Sequence, residues 1–496
     1  MPIRFVDPET GKDLRSTEFA RATLATACIT NRQLRENIAG APDWRKWYLR
    51  LYADLAVEEG LSPSKLSQIA SLGIQSFQSH LVTETGQPLL EAMSLGFSQD
   101  LVETAVIYGL DQAKPVAIDR HSGDLADTAR SWVKDGLAEP GLISTFEYLD
   151  RNPNLELNQH LLFAVAGAAE FAPTQHWLRW GGQVAVVARN NPKTWEKLIS
   201  LARSSGGTML VPVIRQDKSK NLSEYSDAEL AEVAGLDILE HFSEITSWMR
   251  KVQSQATGKF ILGLYGYTPK QNHIRVQAVQ EMLTEIATTN FPHDKLVFSW
   301  LATPTDSTPG PSEIGEDQLA RFSKRAPLRI LRDSLLGLFS AALVARPRFF
   351  TSDNGERLCL IDASVQQQGP SYSFSKRTQR WRAFLAHYAG IRVSYQISPP
   401  ARTNSVLRHR ILRASYLGAP LFGVKPFEVD VAKSASAAAL VRDVFDEMAY
   451  SNKDTTCELQ TFSAIHGGLW RLPYRPKSVW LAATILGLPA LLKKGY

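Results

Sequence analysis

Cysteine is scarce in this 496-residue chain: Cys28, Cys359 and Cys457 stand far apart, with no CxxC pair among them. That spacing excludes a disulfide framework, argues against a structural zinc site, and suits a reducing compartment. An HExxH motif is absent too. No block of basic residues interleaved with aromatics occurs, and a net charge of +5 is mild for this length, so nucleic acid is not an expected partner. The N-terminal "MPIRFVDPETGKDLRS" has no apolar core of a secretory signal. The longest apolar stretch, residues 479–492, is too short to span a bilayer and contains Pro489. A cytoplasmic protein is expected. What remains is ordinary globular composition, 44% hydrophobic and 21% charged.

Two grammars divide the chain. Residues 1–150 read as a mostly helical N-terminal domain. Its clearest element is "PDWRKWYLRLYADLAVEEG", which starts at Pro42-Asp43, stops at Gly60, and carries Trp44, Trp47, Tyr48, Leu51 and Leu55 at helical spacing. "RNPNLELNQ" (151–159) reads as a linker. From there to about residue 466, short apolar runs alternate with helical stretches. The runs are "HLLFAVAG", "QVAVVAR", "TMLVPVI", "KFILGLYGY", "KLVFSWLAT", "RLCLIDAS", "IRVSYQIS" and "ELQTFSAI". Helices are expected between them, among them "HIRVQAVQEMLTEIA", "LRILRDSLLGLFSAALV", "SYSFSKRTQRWRAFLAHYAG" and "SASAAALVRDVFDEMA". Such alternation predicts an α/β fold, a doubly wound parallel sheet with right-handed crossovers, over 151–466. "RQDKSKNLSEYSDAE" and "TPTDSTPGPSEIGEDQ" read as surface loops. Residues 467–496 read as an apolar tail helix at the core or at a homo-oligomer interface. Its Lys493-Lys494 pair also allows weak membrane-surface contact.

In "YSFSK", Tyr372 and Lys376 fall on one face of a helix and can act together. The surrounding order is a strand, Ser364, a short loop, Tyr372-x-x-x-Lys376, Gly390, and the strand "IRVSYQISPP" followed by Thr403. This order resembles the short-chain dehydrogenase/reductase family, over roughly residues 157–466. "GGTMLVPVIRQDKSK", "LVFSWLATPTD" and "RAPLRILRDSLLGLF" are similar in character to the ketoacyl-reductase domain of fungal-type fatty-acid synthases.

The resemblance implies a Rossmann-type sheet and an NADPH-dependent reductase of a ketone or acyl-thioester carbonyl, or the reverse alcohol oxidation. By it, Tyr372 is the acid/base, Lys376 lowers the tyrosine's proton affinity and holds the nicotinamide ribose, and Ser364 polarises the substrate oxygen. Gly167 and Thr403 would lie against the cofactor. Arg189, where an acid would mark NAD, suits the 2′-phosphate of NADP. The glycine loop departs from the family pattern. In "AGAAEFAP", Gly167 is kept, but Phe171 and Pro173 stand in place of the second and third glycines. A non-catalytic scaffold on the same fold, its cofactor site lost, is the alternative expectation.

Overall fold

The computed structural model describes residues 3–215, 219–268, 272–323, 345–449 and 455–493. The expected helix "LRILRDSLLGLFSAALV" and the Lys494 end of the tail lie outside them.

Among the described residues, and apart from a two-residue ladder joining Arg4–Phe5 to Leu81–Val82, the strands form two sheets. In chain order they are β1 (Glu103–Tyr108), β2 (Leu161–Val165), β3 (Gln183–Val187), β4 (Thr208–Val213), β5 (Phe260–Leu264), β6 (Leu296–Ala302), β7 (Ser307–Pro311), β8 (Arg348–Thr351), β9 (Arg357–Asp362) and β10 (Arg392–Ile397). The central sheet has seven strands in the order β10-β6-β5-β2-β3-β4-β1. Every neighbouring pair is parallel except β1 with β4. The chain leaves β2 toward β3 and β4, then returns to β2's other flank for β5, β6 and β10. The fold is thus α/β, with a mostly parallel central sheet.

Continuous apolar runs form these strands because both faces are covered. On one face Leu161, Phe163 and Val165 pack in a core that includes residues of helices α1 (Trp44–Leu61) and α2 (Pro63–Ser79). On the other face Leu162 and Ala164 join residues of α3 (Thr174–Arg179) and α4 (Pro192–Arg203). The first core also holds side chains of α5 (Phe242–Gln253), α6 (Asn272–Asn290) and α7 (Pro370–Tyr388). Each large apolar side chain sealed in this way contributes about 1.5–3 kcal/mol. The helices of the N-terminal region and the sheet therefore share one hydrophobic core.

Several sequence expectations change here. β1 lies inside the region read as helical, and it pairs along its whole length with β4. "ELQTFSAI" is not a strand: Glu458–Thr461 is helical, and only Ile465 makes an isolated bridge, with Ala138. "RLCLIDAS" does contain a strand, β9, but it belongs to a separate antiparallel sheet of order β8-β9-β7. "TPTDSTPGPSEIGEDQ", read as a surface loop, supplies β7 and the helix Ser312–Ser323, with Ser307, Thr308, Pro309 and Gly310 buried. The linker reading of 151–159 contains a single helical turn at Leu157–Gln159. Gly60 does not stop α1, which runs on to Leu61. It is instead a contact point: a Cβ there would sit 2.6 Å from the Phe350 ring and 2.8 Å from Pro309 Cβ. Trp47, placed on the buried stripe by spacing, is 41% exposed.

Beyond α7 come α8 (Arg410–Gly418), α9 (Val429–Phe445) and α10 (Pro476–Lys493). α9 lies on the sheet face shared with α3, and its small residues Ala432, Ala435 and Ala438 allow close approach. α8 and α10 form a hairpin beside a small satellite core of Phe422, Val424, Leu472, Tyr474, Val479, Ala482 and Ala483.

Candidate functional site

Helix α7 begins at Pro370, whose missing N–H costs nothing in a first turn, after Gly369 at φ 77°. From that start Tyr372, Lys376 and Gln379 follow at i, i+4 and i+7, along one side of the helix. They face the carboxyl end of β6. Thr303, the first residue past β6, pairs with Thr305 Oγ1 at 2.7 Å and lies close enough to the Tyr372 hydroxyl to lower its proton affinity. Lys376 Nζ donates to Leu301 O at 2.8 Å and to Gln379 Oε1 at 3.0 Å. Gln379 Nε2 in turn donates to Gln277 Oε1 at 2.7 Å, which also accepts from Gln280 Nε2 at 3.3 Å. Gln280 Oε1 accepts from Gly266 N, just past β5, at 2.9 Å. A polar chain thus links the lysine to the ends of two sheet strands.

Burial sets the proton affinities. It pushes the Tyr372 phenol well above its ordinary value, outweighing the Thr303 side chain that lowers it. The sequence reading had Lys376 lower this phenol; here desolvation dominates, so Tyr372 holds its proton throughout the ordinary pH range. Burial lowers Lys376 to about 8, against the opposing pull of the Asp306 carboxylate. His273 stacks on Tyr372, with ring centroids 5.3 Å apart, and Tyr267 meets it edge-on at 5.9 Å. Burial and the Lys376 charge hold His273 neutral, lowered to about 3.

Ser364 bonds to the first strand of the small sheet. Its Oγ is 2.8 Å from Ser307 Oγ, and Ser307 also donates to Asp362 Oδ1 at 3.2 Å. Both groups belong to the small antiparallel sheet that sits between β6 and α7 in the chain.

Beneath this region lies an ionic cluster without solvent. Glu59 of α1 takes Arg377 Nη1 at 2.5 Å, Trp381 Nε1 at 2.7 Å, and Arg380. Arg377 and Arg380 also donate to Ser307 O, at 2.8 and 3.1 Å. Asp306 lies 3.5 Å from Arg377 and 3.7 Å from Arg380.

The remaining expected residues surround the carboxyl ends of β2, β3 and β10. Gly167 follows Ala166, which adopts φ 60°. A Cβ on Gly167 would meet Ala164 Cβ at 2.9 Å and Val186 Cγ1 at 3.1 Å, so glycine is required for packing between β2 and β3. Its carbonyl accepts from Thr174 Oγ1 at 2.7 Å. Arg189 projects into solvent past β3, and its own carbonyl accepts from Trp195 Nε1 at 3.0 Å. Thr403 caps the short helix Asn404–Arg408 by accepting from Val406 N at 3.3 Å. The neighbouring Asn404 donates from N and Nδ2 to Glu170 Oε1, at 3.2 and 3.0 Å. The structure thus joins the loop after β2 to the segment after β10, and Tyr372 to Lys376 and β6.

No family model, curated protein or solved structure matches the chain.

The loop after β2 is where a dinucleotide would be held in a sheet of this order, its pyrophosphate on a helix N-terminus across the crevice beside β2 and β5. Here α3 has six residues and is preceded by Pro173. The Glu170 carboxylate is tied into the loop, where phosphates would need the opposite charge. Phe171 and Pro173 line the crevice with Tyr265, Ser299 and Leu301, while Gln396 and Leu440 of α9 close its rim. The cavity between them measures about 10 Å³, room for about one water molecule. A second cavity of about 10 Å³, between Thr303, Asp306, Arg380 and Tyr395, is no larger. The residues present do not fit an NADPH pyrophosphate. Among the described residues, no group of three His, Cys, Asp or Glu side chains is placed to hold a metal ion. No helix among them is long and apolar enough to cross a membrane.

Thr303, Asp306, Glu59, His273 and the glutamines 277, 280 and 379 were not singled out by sequence reasoning. The signal for one of them was present: Thr303 directly follows the apolar run "KLVFSWLA", where a strand-end hydroxyl belongs.

Proposed function

We propose that this chain is a doubly wound, Rossmann-type protein on the frame of the short-chain dehydrogenase/reductases that acts as a non-catalytic scaffold or subunit. The observation that carries this reading is the narrow crevice beside β2 and β5, lined by Phe171 and Tyr265, with Glu170 of the preceding loop tied to Asn404. Three buried thiols suit a cytoplasmic setting for it. The polar chain from Lys376 to Gly266 then serves to lock strand ends together, since every buried donor in it meets an acceptor.

A second reading is favoured by Lys376 Nζ lying 5.6 Å from the Tyr372 ring, one turn on, at the carboxyl end of β6. It is an NADPH-dependent reductase of a ketone or acyl-thioester carbonyl, in which Tyr372 gives its proton to the carbonyl oxygen and Thr303, rather than Ser364, donates beside it. Arg189, Gly167 and Thr403 would then edge the nucleotide. Titration with NADPH and NADH, followed by tryptophan fluorescence and thermal unfolding, separates the two. The scaffold reading expects no quenching and an unchanged Tm. Saturable NADPH binding that raises stability by RT ln(1 + [L]/Kd) overturns it in favour of the reductase.

A further inference from the structure

The α8–α10 hairpin combines three features found together nowhere else in the described structure. Its helices touch backbone to backbone: Gly418 meets Ala483 and Gly487 meets Ala414, so the pair is antiparallel and very close. One side of α10, with Val479, Ala482 and Ala483, seals the satellite core. The opposite side carries Lys477, Leu481, Ile485 and Leu488 at helical spacing, with the three apolar residues 44%, 42% and 45% exposed. At the other end of the hairpin, Leu407 of the preceding short helix and Ile411 are 45% and 50% exposed, with exposed Arg408 and Arg410 between them.

The charge around this face is one-sided. Residues 402–427 and 459–496 contain ten Lys and Arg and no Asp or Glu. The rest of the chain holds 45 Lys and Arg against 50 Asp and Glu. The two acid-free segments are net +10 in sequence and the remainder net −5; Arg471 is tied to Glu139 and Asp317 and Arg402 to Glu428, while Arg408, Arg410 and Lys477 stand exposed. A second copy of the chain would bring like charges together on a two-fold interface. Nucleic acid would leave the leucine and isoleucine stripe unburied. An apolar stripe flanked by exposed Lys477, Arg408 and Arg410 matches a bilayer interface, where side chains enter the acyl boundary and the bases meet headgroups.

We propose that the outward face of the α8–α10 hairpin docks on an anionic lipid surface, lying in the interface without crossing it. The test is co-sedimentation of the full chain with vesicles of phosphatidylcholine alone or mixed equally with phosphatidylglycerol. The chain should pellet with the mixed vesicles and remain in solution with phosphatidylcholine alone. Binding should fall as salt rises, because screening shortens from about 10 Å at 0.1 M to about 3 Å at 1 M. Leu481→Asp with Ile485→Asp should abolish pelleting with circular dichroism unchanged. Arg408→Glu with Arg410→Glu should weaken it by at least about tenfold, since each basic residue at such a surface contributes roughly fivefold. Equal pelleting with both vesicle types overturns the proposal, as does no pelleting with either. So does a dimer in solution that Leu481→Asp dissociates while vesicles bind neither form.

Discussion

The Tyr372 ring lies nearly flat on the His273 ring, centroids 5.3 Å apart and planes 20° from parallel. This contact holds the tyrosine against the strand ends whether or not its hydroxyl does chemistry. Tyr372→Phe therefore keeps the stack and loses only the hydroxyl, a cost of no more than about 0.5–1.5 kcal/mol. Lys376→Met leaves the Leu301 carbonyl and the Gln379 amide oxygen buried without their donor, and should cost more, about 1–3 kcal/mol. Urea unfolding of both variants checks the ordering; a costlier Tyr372→Phe would contradict it.

Glu59 and Asp54 stand on the same helix in contrasting surroundings. Glu59→Ala strands two buried guanidinium groups and should lose about 3–5 kcal/mol. Asp54 pairs with Arg348 at 2.6 Å, but the side chains are 31% and 52% exposed, so Asp54→Ala should lose no more than about 1 kcal/mol. Chemical denaturation of the two variants side by side tests this; similar losses would mean that the buried cluster contributes no more than a surface pair.

Asp443 and His160 make stability depend on pH in opposite senses. Burial raises the Asp443 carboxyl to about 6, despite Arg442 and the hydrogen bonds from Ser394 and Gln396. The folded state thus binds the proton more tightly than the unfolded chain, at about 4, and this contribution is lost as pH rises through 6. His160 is lowered to about 4, chiefly by burial and then by Lys259, so its contribution is lost as pH falls from about 6.5 through 4. Asp443→Asn should gain stability relative to the native chain as pH rises from 4 to 7, by an amount on the order of 2–3 kcal/mol. Unfolding curves at the two ends of that window measure it, and a difference independent of pH would exclude the assignment.

The hairpin contact at Gly418 and Gly487 leaves no room for a methyl group, because backbone carbonyls of the facing helix occupy it. Gly487→Ala should cost about 1–3 kcal/mol by overpacking. The loss should be local: amide exchange should speed up along α10 and α8 while β2 and β5 keep their protection. Uniform loss of protection across the sheet would show that the hairpin is part of the main cooperative unit.

The inner parallel strands were legible because they are mostly apolar runs buried on both faces and closed by turn residues. β1 was not. As an edge strand it exposes Val106 and Tyr108 while burying Ala105 and Ile107, and this short alternation is easily lost among helices. Tyr372 and Lys376 could be paired by spacing alone. Thr303 could not be joined to them, because an antiparallel sheet is inserted between β6 and α7 and the polar loop before β7 looked solvent-facing. Glu59 follows Glu58 at the end of a helix, where nothing in the local sequence marks it as buried. Only the tertiary approach of α7 shows that it is the acceptor for Arg377, Arg380 and Trp381.

Glu59 and Arg377 are separated by 318 residues of chain. At a synthesis rate of roughly 5–20 residues per second, the carboxylate leaves the ribosome about 16–64 s before the guanidinium that will neutralise it. Over that interval α1 can neither bury Glu59 nor complete the packing of its apolar side around Tyr48 and Tyr52. The nascent N-terminal helices must therefore wait, exposed, for α7. Enclosure of α1 thus waits on a helix made 318 residues later.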